Sequence, residues 1–160
     1  MNEAKPQGCL AAIFRLLSGS TQSVAEPELP YRRRDYLLTK AERSFYGVLQ
    51  QIASEDWQIF AMVRLADLLY LPRGTERRQS YQNRIQSKHI DFVLCRSTDF
   101  RPLLAIELDD SSHARRDRTE RDRFVDQALQ AAGLPLLRVR AQRSYDPRKL
   151  LQSIREALES

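Results

Sequence analysis

His89-Ile90-Asp91-Phe92-Val93-Leu94-Cys95 and Leu103-Leu104-Ala105-Ile106-Glu107-Leu108-Asp109 are two short apolar runs, each broken by acids. Alternation in the first and the bounded length of both mark them as strands. In the first, Ile90, Phe92 and Leu94 share one face, while His89, Asp91, Val93 and Cys95 share the other. Ser97-Thr98-Asp99 between the runs supplies turn residues, so the pair reads as an antiparallel hairpin with a loose connection.

Glu107 and Asp109 stand two apart on one strand, so they share a face, roughly 7 Å apart by strand rise. Asp91 joins them if its own face turns the same way. Charged side chains inside apolar strands are seldom left without a partner or an ion. Carboxylates gathered in one place repel unless a cation lies between them, and an all-oxygen donor set suits Mg²⁺ or Mn²⁺. Such an ion activates water and stabilises charge on a phosphodiester. The plainer alternative is a solvated acidic face paired with the chain's many arginines.

The flanking chain fits around this hairpin. On the C-terminal side, Asp117 to Ala132 forms a helix with Phe124, Val125, Ala128, Leu129 and Ala132 as its apolar stripe, ended by Gly133. Leu134 to Val139 is a nearly continuous apolar run, as expected of a buried strand flanked by helices. Asp146 then caps a last helix, with Pro147 at its first position and Leu150, Leu151, Ile154 and Leu158 facing inward. On the N-terminal side, Thr39-Lys40-Ala41-Glu42 has the form of a capping box, and Phe45, Val48, Leu49 and Ile52 follow at helical spacing. Trp57 to Arg64 alternates as a strand. Ala66 to Leu71 is ambiguous, Pro72-Arg73-Gly74 breaks the chain, and Glu76 to Gln86 is a polar helix or loop. Residues 1–30 read as a flexible tail and linker, and 31–160 as one domain.

Apolar residues make up 42% of the 160, enough for a core, and the formal net charge is +5 at pH 7. A basic surface favours an acidic partner such as nucleic acid or anionic lipid. The basic residues are mostly arginine, and the only lysines are Lys5, Lys40, Lys88 and Lys149. Two cysteines, Cys9 and Cys95, suggest neither a disulfide framework nor a zinc site, which makes a reducing, cytoplasmic setting the default. No run is long and apolar enough to span a bilayer. Residues 9–17 are apolar but short and carry Arg15; they read as tail, or as an amphipathic segment touching a membrane surface.

The two strands with the motifs that follow them resemble the core of the PD-(D/E)xK nuclease-like superfamily. That family places an Asp on one strand and Glu-x-Lys on the next, followed by a helix and a further strand. Glu107-Leu108-Asp109-Asp110-Ser111-Ser112-His113, then Arg121-Asp122, Gly133 and Arg138, resemble the branch of very-short-patch repair endonucleases. Within it, the chain looks much like a bacterial domain-of-unknown-function family, over roughly Leu37 to Leu158. The resemblance implies an α/β fold, a restriction-endonuclease-like three-layer α/β/α core with a central mixed sheet. It also implies Asp91, Glu107 and Asp109 as metal ligands and catalytic groups. The chain departs from the pattern at Asp109, where the family expects Lys. Lys88, His89 and His113 are the local substitutes, and His113 is suited to general acid or base work. Glu42 has two readings: the capping box, and an acid from the first helix that completes the metal site.

Three functions follow. The first is an Mg²⁺-dependent nuclease whose strand backbone is guided by Arg115, Arg116, Arg121 and Arg123, without strong base preference. The second is a non-catalytic nucleic-acid-binding domain on the same fold. The third is a protein-interaction module near a membrane. Fold alone does not choose among them.

Overall fold

The computed structural model of the protein describes residues 29–109 and 116–159, with the backbone course alone for 116–120. The chain divides into two units, Met1–Asp35 and Tyr36–Ser160, and every element below belongs to the second. In order these are α1 (Lys40–Ile52), β1 (Trp57–Arg64), α2 (Leu65–Leu68), α3 (Arg78–Gln86), β2 (His89–Arg96), β3 (Pro102–Asp109), α4 (Arg116–Ala131), β4 (Leu136–Arg140) and α5 (Pro147–Glu159). The chain is thus mixed α/β, with five helices and a four-stranded mixed sheet among the described residues.

The sheet order is β1-β2-β3-β4. β1 with β2 and β2 with β3 run antiparallel, as the hairpin reading requires, and β3 with β4 runs parallel. The parallel step follows from α4, which carries the chain back across one face before β4 begins. Gly133, at φ 67°, ends that helix in the left-handed conformation that glycine adopts without steric cost.

Successive strand residues feed opposite faces of the sheet. Phe92, Leu94, Leu104 and Ile106 pack with Phe45 and Leu49 of α1 and Leu150 and Ile154 of α5. Val93, Cys95 and Ala105 pack with Leu65, Ile85 of α3, and Val125 and Leu129 of α4. Helices therefore lie against both faces. α1 starts at the expected capping box, in which Glu42 N donates to Thr39 Oγ1 at 3.3 Å and Thr39 N donates to Glu42 Oε2 at 2.7 Å.

Three expectations need correction. Ile90 does not share a face with Phe92 and Leu94; it joins the cluster of Val93 and Cys95. The alternation breaks at Asp91, where β1 turns left-handed at Met62 and the β2–β3 pairing ends. The strand expected to be buried, β4, is not: it lies at one edge of the described sheet and none of its residues is fully buried. Ala132 is exposed, because α4 has already ended at Ala131.

Candidate active site

The acids sit where the β2–β3 pairing opens. The ladder runs from Cys95–Pro102, across a register shift to Leu94–Leu104, and through Val93–Ala105 to Phe92–Ile106. Beyond that pair, Leu108 N donates to Asp91 Oδ2 at 2.8 Å, so a side chain takes the place of a strand carbonyl. On the other side, β1 pairs Ala61 with Phe92 and Val63 with Ile90. Met62, level with Asp91, has φ 55°. A left-handed backbone costs a residue with a Cβ roughly 1–2 kcal/mol. This distortion of β1 lies beside the carboxylate that interrupts β2.

Past the last pair, Phe92–Ile106, the strands carry Asp91 and Glu107 near enough for the Asp91 charge to act on Glu107. Glu107 is half-buried, and its Oε1 is closed off from solvent without a hydrogen-bond partner among the described residues. Burial first, then the charge of Asp91, push the Glu107 carboxyl up to about 7; Arg121 and Arg138 pull the other way. Burial also raises Asp91, against the Leu108 amide, and Glu42 adds to the rise. Glu42 thus completes the capping box of α1 with Thr39 while its charge is felt at Asp91.

Asp109 is turned to other work. Arg138, which pairs with Glu107 across the parallel β3–β4 ladder, donates to Asp109 Oδ1 at 2.9 Å and to Asp126 Oδ1 at 2.8 Å. Burial works against the Arg138 charge, but Asp126 and Asp109 outweigh it and its pKa rises. An open groove of about 690 Å³ lies beside this triad, lined by Asp126, Gln130, Leu134, Leu136 and Arg138 among others.

Lys88 lies just before β2. Its Nζ donates to Arg84 O at 2.7 Å and stands 4.9 Å from the centre of the Phe124 ring. Burial, then Arg121 and Arg84, lower its pKa. His89 pairs with Arg64 across β1, and its charge is felt at Asp67, which itself holds Arg64. Arg121 and Arg123 are exposed on α4. His113, Arg115, the Arg116 side chain, and residues 9–17 lie outside the described residues. Cys95 is a free, buried thiol whose pKa burial raises, in keeping with a packing role.

The structure therefore brings Asp91 and Glu107 together, within the electrostatic reach of Glu42, Arg121 and Arg138. Among the described residues no group of three or more His, Cys, Asp or Glu side chains is placed to share an ion, and no helix is long and apolar enough to cross a membrane. Arg84 and Phe124 escaped the sequence reading as neighbours of Lys88. Only the four-residue spacing of Arg84 and Lys88 hinted at their sharing a helix face.

The model of a family described as protein of unknown function, DUF2726, matches residues 34–158. No curated protein and no solved structure matches the chain.

Proposed function

We propose that this chain, which belongs to the DUF2726 family, is a metal-dependent phosphodiester hydrolase acting on DNA or RNA. The observation that carries the reading is the Glu107 carboxylate, with one oxygen buried and unpartnered beside a second raised acid, Asp91. Buried polar atoms are almost always satisfied, and a carboxylate oxygen left bare calls for a proton or a cation. Mg²⁺ is commonly held by one or two carboxylates, with water and phosphate oxygens filling its shell. Asp91 and Glu107 fit that donor set without a third protein acid. Bound there, the cation would supply activation of water and neutralisation of phosphoryl charge.

The chain's own residues do the rest. The Leu108 amide fixes one oxygen of Asp91 and so orients the carboxylate. Arg138 brings cationic charge beside Glu107 from β4, in a site where the nuclease-like pattern expects a Lys two residues after the Glu. The exposed guanidinium groups of Arg121 and Arg123 suit phosphates, which fix register and carry no base preference. Helices on both faces of a mixed sheet agree with a restriction-endonuclease-like three-layer core.

The test is a calorimetric titration of Mn²⁺ and Mg²⁺ into the protein and into an Asp91→Asn, Glu107→Gln double variant, alongside cleavage of DNA and RNA. Binding and cutting by the parent, both lost in the variant, are expected. Cutting that survives in the variant places the chemistry elsewhere. The Asp109–Arg138 pair, at the position of the expected Lys, favours a second reading: a nucleic-acid-binding domain that does not cut. Nucleic-acid binding without metal uptake or cleavage would establish it.

A further inference from the structure

We propose that Arg84 and Lys88, over the ring of Phe124, together with Arg121, three residues before that ring on α4, form a clamp for a backbone phosphate of nucleic acid next to the Asp91–Glu107 pair. The inference rests on the reading above for its ligand, a nucleic acid, but not for the cleavage step.

The geometry begins with α3. This nine-residue helix is polar on nearly every side and buries only Ile85, so packing alone gives little reason for its arginines to lie where they do. The guanidinium carbon of Arg84 stands 4.0 Å from the centre of the Phe124 ring, and Lys88 Nζ stands 4.9 Å from the same point. The Lys88 ammonium is further pinned by its bond to Arg84 O at 2.7 Å. Arg121 lies three residues before Phe124 on α4, hence on the same side of that helix. Its charge, with that of Arg84, works against the protonation of Lys88, which places the three cations within electrostatic reach of one another.

Like charges brought this close repel, and an aromatic face offsets only part of that. Three arginines elsewhere are neutralised directly: Arg64 by Asp67, Arg96 by Asp99, and Arg138 by Asp109 and Asp126. No ion pair among the described residues reaches Arg84 or Lys88. A phosphate supplies the missing charge, with several oxygens to share among three donors. Arg121 also bears on both Asp91 and Glu107, so it links the clamp to the acid pair. Tyr81, 45% exposed and three residues before Arg84 on α3, offers a face on which a base can stack. Free phosphate has no use for that aromatic face; a nucleic acid strand does.

The experiment is a salt series of fluorescence-anisotropy titrations with labelled short oligonucleotides, single-stranded and duplex, in chelator so that no cutting occurs. An Arg84→Gln, Lys88→Gln double variant should bind more weakly, and its log–log salt slope should be shallower by about 1.4–1.8, the equivalent of two lost phosphate contacts. An Arg148→Gln, Lys149→Gln variant on α5 should keep the parent slope. On the unaltered protein, oligonucleotide should slow acetylation of Lys88 by acetic anhydride, read by mass spectrometry. That arm decides the matter should the double variant not fold. An unchanged slope, an equal loss in the α5 variant, unprotected Lys88, or a parent that binds no oligonucleotide would each overturn the clamp. A parent that cuts while the double variant keeps its slope defeats the clamp and leaves the hydrolase standing. A shallower slope in a protein that never cuts does the reverse.

Discussion

The two ends of the β2–β3 hairpin are built from the same strands and behave in opposite ways. Toward the turn, Leu94 faces Leu104 and Val93 faces Ala105 before the register shifts between Leu94 and Cys95, and all four are buried to 1% exposure or less. At the open end the pairing yields to a carboxylate–amide bond, Asp91 to Leu108, and Glu107 keeps a buried oxygen with no partner among the described residues. One end is what folding favours; the other works against it. A chain that sets two acids into the end of its sheet loses stability there, and the loss has a purpose only if something binds. The contrast is open to direct attack from both sides.

The largest effect should come from the folding end. Phe92 is fully buried and touches two aromatic rings of α1, with centroids 5.5 Å away for Phe45 and 6.1 Å for Tyr46. Phe92→Ala leaves a cavity that α1 cannot fill, and should cost about 3–5 kcal/mol. Urea denaturation should show the midpoint falling at unchanged slope. A loss under about 1 kcal/mol would mean that the face against α1 and α5 is not the fold's main support.

The acidic end should respond in the opposite sense. The Glu107 carboxyl titrates at about 7 in the folded protein against an ordinary 4.5. The folded state therefore holds this proton more tightly than the unfolded chain. Stability contributed by the protonated form is present below pH 4.5 and is lost as pH rises through 7. Glu107→Gln removes that slope in the metal-free protein. At pH 8 the variant should be more stable than the parent by on the order of 2 kcal/mol, and near pH 4 the two should match. Thermal melts across this range check it; a parent whose stability changes between pH 5 and 8 no differently from the variant's would show Glu107 to be well solvated.

How much of this could be read from the sequence divides along the same line. The apolar end was legible: Trp57–Arg64 and the hairpin follow from alternation, and the Thr39–Glu42 box sets the start of α1, because such patterns are local. The acidic end was legible in its residues but not in its geometry. Nothing in the order Ile90-Asp91-Phe92 tells that Asp91 will bond the Leu108 amide and send Ile90 to the other face. An apolar run such as Leu134 to Val139 speaks for burial, but its place at the edge depends on which strands pair, a matter of the whole sheet. Arg138 beside Glu107 follows from the parallel register, thirty-one positions along the chain. The meeting of Arg84 with Phe124 needs the packing of α3 against α4, for which a polar helix carries no periodic signal.

The smallest effect probes the boundary between the two kinds of region. Arg138 and Asp109 form an ion pair with the Asp109 side chain 48% exposed, so the pair should contribute only about 0.5 kcal/mol in a double-mutant cycle of Asp109→Asn and Arg138→Gln. Its electrostatic role should be easier to see than its stability. Arg138 opposes the rise of the Glu107 carboxyl, so Arg138→Gln should move that titration further up, above about 7. Asp109→Asn leaves the Arg138 charge less compensated beside Glu107 and should move it down. Carbon-detected NMR titration of the Glu107 carboxyl reads both shifts in the metal-free protein. Opposite displacements would show that both charges of the ion pair are felt at Glu107. No shift on Asp109→Asn would mean that the Asp109 charge does not reach Glu107, and that the ion pair belongs to the solvated face and not to the site.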